Sequence, residues 1–216
     1  MKRPFSAWKE GAIIYVPWLA IGAALTWVAW PGGLAMLGIL VLASGAFALC
    51  FFRDPPRAVA AGEGEIVSPA DGAVVAIEDL DDSPHYDGPC RRVSIFLSIL
   101  DVHINRAPAA GTVRSITYQP GRFLAAMKRE TSDCNEAMTV HLDTGHGPMT
   151  VRQIAGMIAR RIVCRTGVGD SLDKGEKFGM IKFGSRTELY LPPDTEVCVR
   201  VKDKVRAGTT IMARCK

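Results

Sequence analysis

A glycine followed directly by a serine, Gly184-Ser185, lies near the end of Lys174-Gly175-Glu176-Lys177-Phe178-Gly179-Met180-Ile181-Lys182-Phe183-Gly184-Ser185-Arg186. Glycine has no Cβ, so it reaches backbone conformations closed to other residues and leaves its own carbonyl sterically open. A serine hydroxyl next to that carbonyl can attack it and exchange the peptide bond for an ester. Elimination from the ester gives dehydroalanine, and hydrolysis then leaves a pyruvoyl group at the start of a new chain. Such a group is an electron sink for the carbanion left when an amino acid loses carbon dioxide. A Gly-Ser pair alone is a common turn, so its surroundings must decide.

Three other segments carry groups suited to such chemistry: Ser68-Pro69-Ala70-Asp71-Gly72, Asp101-Val102-His103-Ile104-Asn105-Arg106-Ala107-Pro108, and Gln153-Ile154-Ala155-Gly156-Met157-Ile158-Ala159-Arg160-Arg161-Ile162. His103 follows the strand-like run Val93 to Ile99, and histidine exchanges protons near neutral pH. A lone histidine is more often structural, and Asp71 read alone is a turn aspartate. His85, His141 and His146 read as structural, with His141 the reserve base. Arg160-Arg161 suits either a lipid phosphate or a solvated strand edge.

The four segments, in this order, closely resemble the phosphatidylserine decarboxylase proenzymes in their short bacterial and archaeal form, from about Asp54 to Lys216. The resemblance implies cleavage between Gly184 and Ser185, giving a β chain of residues 1–184 and an α chain of residues 185–216 that stay together as a heterodimer. It implies that Ser185 becomes the covalent pyruvoyl cofactor, which forms a Schiff base with phosphatidylserine and yields phosphatidylethanolamine, with no pyridoxal phosphate and no metal. It makes His103 a catalytic residue and Asp71 the carboxylate that orients it, an Asp-His-Ser arrangement. Longer relatives hold a second histidine three residues after the first. Here that position is Arg106, so His103 serves both cleavage and decarboxylation or another group takes one step. Asn135-Glu136 stands where relatives carry Asn-Glu-Arg, but Ala137 replaces the arginine, and no role follows.

The positions that must hold these groups lie beyond a front segment of different composition. Ala12–Trp30 and Gly32–Phe52 carry no charge, and all four tryptophans fall in this front segment. Nineteen helical residues span about 28 Å, near the bilayer core. Pro31-Gly32-Gly33 separates two helices. Lys2, Arg3 and Lys9 precede the first run, and Arg53 and Arg57 follow the second. By the positive-inside rule both ends face the cytoplasm. Residues 1–52 therefore read as a membrane-associated helical hairpin, spanning or dipping into one leaflet, with a buried helical pair as the alternative. Residues 53–216 read as the catalytic domain at the cytoplasmic face of the cell membrane.

That domain is expected to be mainly β. Residues 73–77, 93–99, 112–118, 138–142 and 158–164 are strand-like runs, set off by turn signals such as Asp71-Gly72, Asp87-Gly88 and Pro120-Gly121. Pro120 to Arg129 is the best helix candidate. Asp170–Gly175 and Asp203–Gly208 repeat one strand–turn–strand pattern, which resembles the pieces of a barrel-sandwich hybrid fold, so a compact β-sandwich is expected. Basic and acidic residues nearly balance there, against a nucleic-acid groove. The six dispersed cysteines read as reduced thiols. A homo-oligomer stays open. Competing readings are a pyruvoyl decarboxylase of another amino-acid-bearing lipid, and a non-enzymatic membrane-anchored scaffold. A carrier of the hybrid type would show its lysine in a Met-Lys-Met or Asp-Lys-Ala setting, and Lys174, Lys182 and Lys204 lack one. If the front segment only localises the protein, deleting residues 1–52 releases it from membranes while cleavage into two chains continues. A folded but uncleaved truncation would refute the two-part organisation.

Overall fold

The computed structural model describes residues 5–30, 32–124, 131–157, 161–182 and 184–215. Two compact units separate, Ser6–Pro55 and the remainder of the chain.

The smaller unit is a pair of apolar helices, α1 (Ala7–Val28) and α2 (Leu34–Phe51). Their backbones approach closely along a glycine seam. A Cβ on Gly22 would lie 2.6 Å from the Leu42 nitrogen, and one on Gly38 would lie 2.5 Å from the Thr26 nitrogen. Small residues permit this approach, as they do between membrane helices. The helix α1 is long and apolar enough to cross a membrane. Ile13, Trp27 and Val28 point away from protein contacts.

The larger unit is mainly β, as its alternating pattern predicts. In chain order its elements are β1 (Glu65–Val67), β2 (Gly72–Leu80), β3 (Cys90–Leu97), β4 (Ile104–Arg106), β5 (Gly111–Gln119), α3 (Thr131–Cys134), β6 (Ala137–Thr144) and β7 (Gly147–Ala155). There follow β8 (Arg161–Cys164), β9 (Ser171–Leu172), β10 (Lys177–Lys182), β11 (Ser185–Leu191), β12 (Glu196–Val197), β13 (Lys204–Val205) and β14 (Ile211–Arg214). Eight form one sheet in the order β13-β2-β3-β11-β7-β6-β5-β9; β4-β10-β8 and β1-β14-β12 form two smaller ones. One core serves all three sheets. It joins Val93, Ile95 and Leu97 of β3, Leu189 and Leu191 of β11, Phe178 of β10 and Met212 of β14.

The sequence expectations meet this fold unevenly. Residues 73–77, 112–118 and 138–142 lie in β2, β5 and β6. Of 158–164, the described part is β8. The expected helix from Pro120 is absent over residues 120–124. There Gly121 packs against the Asn135 backbone, where a Cβ would stand 2.3 Å from a carbonyl carbon, and the Arg122 amide donates to the Cys134 carbonyl. Residues 125–129 lie outside the described residues. The repeated pattern appears twice, as β9 followed by left-handed Gly175 (φ 77°) and β13 followed by left-handed Gly208 (φ 74°).

Arg106 ties these two turns together. Its side chain is buried, its Nη1 donates to the Gly175 carbonyl at 2.9 Å, and its stem fills the space beside Gly208. The arginine thus has structural employment where longer relatives hold a histidine. Losing a buried charge-assisted hydrogen bond costs about 1–3 kcal/mol. Arg106→Ala is therefore expected to lower the thermal midpoint clearly, read by calorimetry. An unchanged midpoint would contradict this placement.

Candidate functional site

The link from β10 to β11 carries the chain from the β4-β10-β8 sheet into the centre of the eight-stranded sheet. Phe183 lies outside the described residues. Gly184 is left-handed, with φ 58°, and open space surrounds the position a Cβ would take. A side chain here would be strained by backbone conformation and not by crowding. Ser185 then starts β11, opposite Leu97 at the end of β3 and Ala155 at the end of β7. Its side chain is fully buried, and its hydroxyl has no hydrogen-bond partner among the described residues. Buried hydroxyls are nearly always bonded, so such an orphan calls for a reason.

His103 reaches this link from β4's leading end. Its Nδ1 lies 2.9 Å from the Asp101 carbonyl, and its Nε2 lies 3.1 Å from the Gly184 nitrogen. A carbonyl only accepts, so Nδ1 carries the proton and Nε2 accepts from the Gly184 N–H. The Asp101 carboxylate closes its own turn, accepting from the Ser98 amide at 2.8 Å and hydroxyl at 2.7 Å. The His103 carbonyl accepts from Ile181 on β10. The imidazole is thus held from both backbone sides, with its basic nitrogen against the Gly184 amide.

Asp71 is held by an arginine and by a backbone amide. Its carboxylate pairs with Arg57 at 2.7 Å and accepts from the Ala207 amide at 2.8 Å. The ring nitrogen that a triad aspartate would hold is instead bound by the Asp101 carbonyl. Asp71 anchors the loop whose Pro69 carbonyl accepts from the Arg106 amide. The next residue, Gly72, runs against β3, where a Cβ would stand 2.1 Å from the Phe96 carbonyl oxygen.

Residues that the sequence reading did not single out complete the surroundings. Asn105 Nδ2 donates to the Pro69 carbonyl at 3.4 Å and to Thr187 Oγ1 at 3.0 Å. The carbonyl sets the orientation of the Asn105 amide, so its oxygen accepts from Gln153 Nε2 at 2.8 Å. That in turn leaves Gln153 Oε1 as a buried acceptor without a partner among the described residues. Gln153 pairs with Thr187, and Ser185 lies diagonally across the same sheet face. Asn135, assigned no role from sequence, donates to the Ala155 carbonyl at 2.7 Å and so braces the strand opposite Ser185. Asn105 and Gln153 sit in strands β4 and β7, where only the alternation of polar with apolar residues hints at them.

The other face of β11 is charged and sealed. Glu188 accepts from the Ser132 hydroxyl at 2.6 Å and the Tyr190 hydroxyl at 2.8 Å. It pairs with Arg186 at 3.1 Å, and Arg152 stands 3.8 Å away. The reserve base His141 hydrogen-bonds Thr150, five residues along β7 from Ala155, roughly 17 Å from the reactive end. Its burial and the charge of Arg114 hold its basicity below the ordinary value. Arg161 is exposed on β8 opposite Lys182; Arg160 lies outside the described residues. Chemically, the arrangement joins a hydroxyl without a partner among the described residues, the carbonyl of a left-handed glycine, and a histidine whose Nε2 lone pair accepts from that glycine's own N–H.

Comparison with known proteins gives a consistent picture. The family model for phosphatidylserine decarboxylase matches residues 45–213. A phosphatidylserine decarboxylase proenzyme of Magnetococcus marinus is 42% identical over 212 residues, covering 96% of this chain and 94% of the relative. The proenzyme of Symbiobacterium thermophilum is 42% identical over 216 residues, 99% and 97% of the two chains. That of Carboxydothermus hydrogenoformans is 41% identical over the full length of both.

The charged cluster behind Ser185 has a pH signature. Burial pushes the Glu188 carboxyl up, but Arg186, the Ser132 hydroxyl, Arg92 and the Tyr190 hydroxyl together hold it below its ordinary value of 4.5. A depressed folded value contributes stability fully above the unfolded value, and this is lost as pH falls through the folded value. Glu188→Gln leaves buried arginines unpaired, a loss of about 3–5 kcal/mol. Denaturant titrations across acid pH are expected to show lower stability and a shallower acid decline in the variant. Identical curves would contradict the pairing.

Proposed function

Because the chain belongs to the phosphatidylserine decarboxylase family, we propose that it cuts itself between Gly184 and Ser185 and then converts phosphatidylserine to phosphatidylethanolamine. The observation that carries this reading is the orphaned, fully buried Ser185 hydroxyl beside a left-handed glycine. A pyruvoyl group made from residue 185 fits this position, because its methyl would take the place of a buried side chain that makes no hydrogen bond among the described residues.

In the cleavage, Ser185 Oγ bonds to the Gly184 carbonyl carbon as the bond from that carbon to the Ser185 nitrogen breaks. The hydroxyl proton passes to His103 Nε2, once that atom releases the Gly184 N–H, and goes on to the departing nitrogen. Removal of the Ser185 Cα proton then expels Gly184 as a carboxylate. Water replaces the nitrogen, which leaves as ammonia. The resulting pyruvoyl group supplies the electron sink for loss of carbon dioxide. His103, held in one tautomer by the Asp101 carbonyl, delivers the proton that replaces the lost carboxylate. Asp71 acts as a positioning residue, bracing the loop that carries Pro69 and, through it, Asn105. The helix α1 and the basic residues flanking the hairpin support attachment to the membrane with the larger unit on the cytoplasmic side.

Ser185→Ala is expected to give one uncut chain without activity, and cleavage of that variant at the same bond would overturn the proposal. His103→Ala is expected to slow both cleavage and decarboxylation, each by about 10²–10⁴-fold, read by gel and by carbon dioxide release from the matured fraction. Asp71→Asn should delay maturation more than turnover of matured enzyme.

A further inference from the structure

The end of the eight-stranded sheet where Ser185 lies is rimmed by apolar side chains left in solvent. Ser185 is opposite Leu97 and Ala155, the last residues of β3 and β7. Ile99 and Leu100 occupy the turn that follows β3, closed by Asp101 on Ser98. Met157 stands two residues beyond Ala155. Leu124, with Phe123 before it, is tied to the Asn135 amide, and that amide also donates to the Ala155 carbonyl. Leu100 is 71% exposed and Met157 64%, while Ile99, Phe123 and Leu124 each keep more than a third of their surface, at 36%, 38% and 38%. A single exposed apolar residue needs no explanation, but five from three loops around one reactive bond form a patch.

Charge defines what the patch meets. Arg122 adjoins Phe123, and Arg161 is exposed on β8 next to Lys182 of β10, the strand that leads into Gly184. Apolar tips flanked by cations suit the headgroup boundary of an anionic bilayer, where the tips enter the acyl region and the guanidinium groups meet phosphates. We propose that this rim seats the larger unit on the lipid bilayer with residue 185 facing it, so that a headgroup reaches the site while its acyl chains stay in the membrane. The inference rests on the phospholipid substrate proposed above. It assigns docking and orientation to Leu100 and Met157, apart from any anchoring by the hairpin.

The test uses the full-length chain in vesicles of phosphatidylcholine and long-chain phosphatidylserine, with water-soluble dihexanoyl phosphatidylserine as the second substrate. Leu100→Asp combined with Met157→Asp is expected to slow turnover of the long-chain lipid by at least about tenfold, because two apolar anchors are lost from the interface. Turnover of the soluble lipid should stay within about twofold, as for other surface changes. The two chains should form in the normal ratio, and Leu100→Trp with Met157→Leu should retain the long-chain rate. Equal losses on both substrates, or no loss on the long-chain lipid, would overturn the docking role. A change of oligomeric state in the aspartate variant, with both rates altered together, would assign the rim to protein contacts instead. Failure of the unsubstituted protein on both lipids would remove the substrate assignment, and the rim proposal with it.

Discussion

The strands on either side of Gly184-Ser185 belong to different sheets, and the remaining features depend on that separation. β10 is hydrogen-bonded to β4 and β8, whereas β11 is hydrogen-bonded to β3 and β7. A break between them falls at the margin of both ladders and leaves the interior of every strand whole. The segment after the break keeps its place through β11, buried on both faces, and through β14, paired with β1 and β12. A cut inside a strand would instead expose backbone donors and acceptors at a cost comparable to lost hydrogen bonds. The proposed self-cleavage is compatible with a retained fold because the bond concerned lies at a crossover.

The proposed chemistry at that crossover depends on restraint of one ring. The Asp101 carbonyl leaves His103 with a bare Nε2, and the uncut chain occupies that lone pair with the Gly184 N–H. Under the proposed cleavage the same contact holds His103 beside the bond and occupies its lone pair, so the proposed reaction requires a local exchange of partners. The buried amides of Asn105 and Gln153 set the polarity of the floor next to Ser185, and the Arg186–Glu188–Arg152 cluster fixes the opposite face of the strand. Ser185 lies between an apolar core with one polar seam and a sealed ionic layer.

Much of this was legible in the residues. The Gly184-Ser185 pair and His103 stand out because few residue types perform such chemistry, and the alternating runs mark most long strands. Other features were not legible, for identifiable reasons. Asp71 reads as a turn aspartate or a partner of histidine, yet it bonds Ala207, 136 positions away, a contact that no local pattern encodes. Arg186, Glu188 and Tyr190 alternate with Thr187 and Leu189 as though one face were solvated. The curled sheet and the Ser132 segment bury that face too. The supposed helix from Pro120 gives way to backbone contacts with residues 134–136, which override local propensity. Asn135 stood beside a recognisable pattern, but its job of holding Ala155 depends on strand register.

The most direct test of the central claim, that this crossover converts its own serine, is intact mass measurement of the purified full-length protein. The account predicts two chains. One is residues 1–184 with a free Gly184 carboxylate, and the other is residues 185–216, one ammonia lighter than the same fragment beginning with serine. A single uncut chain of 216 residues, or a second fragment that retains an N-terminal serine, would contradict it.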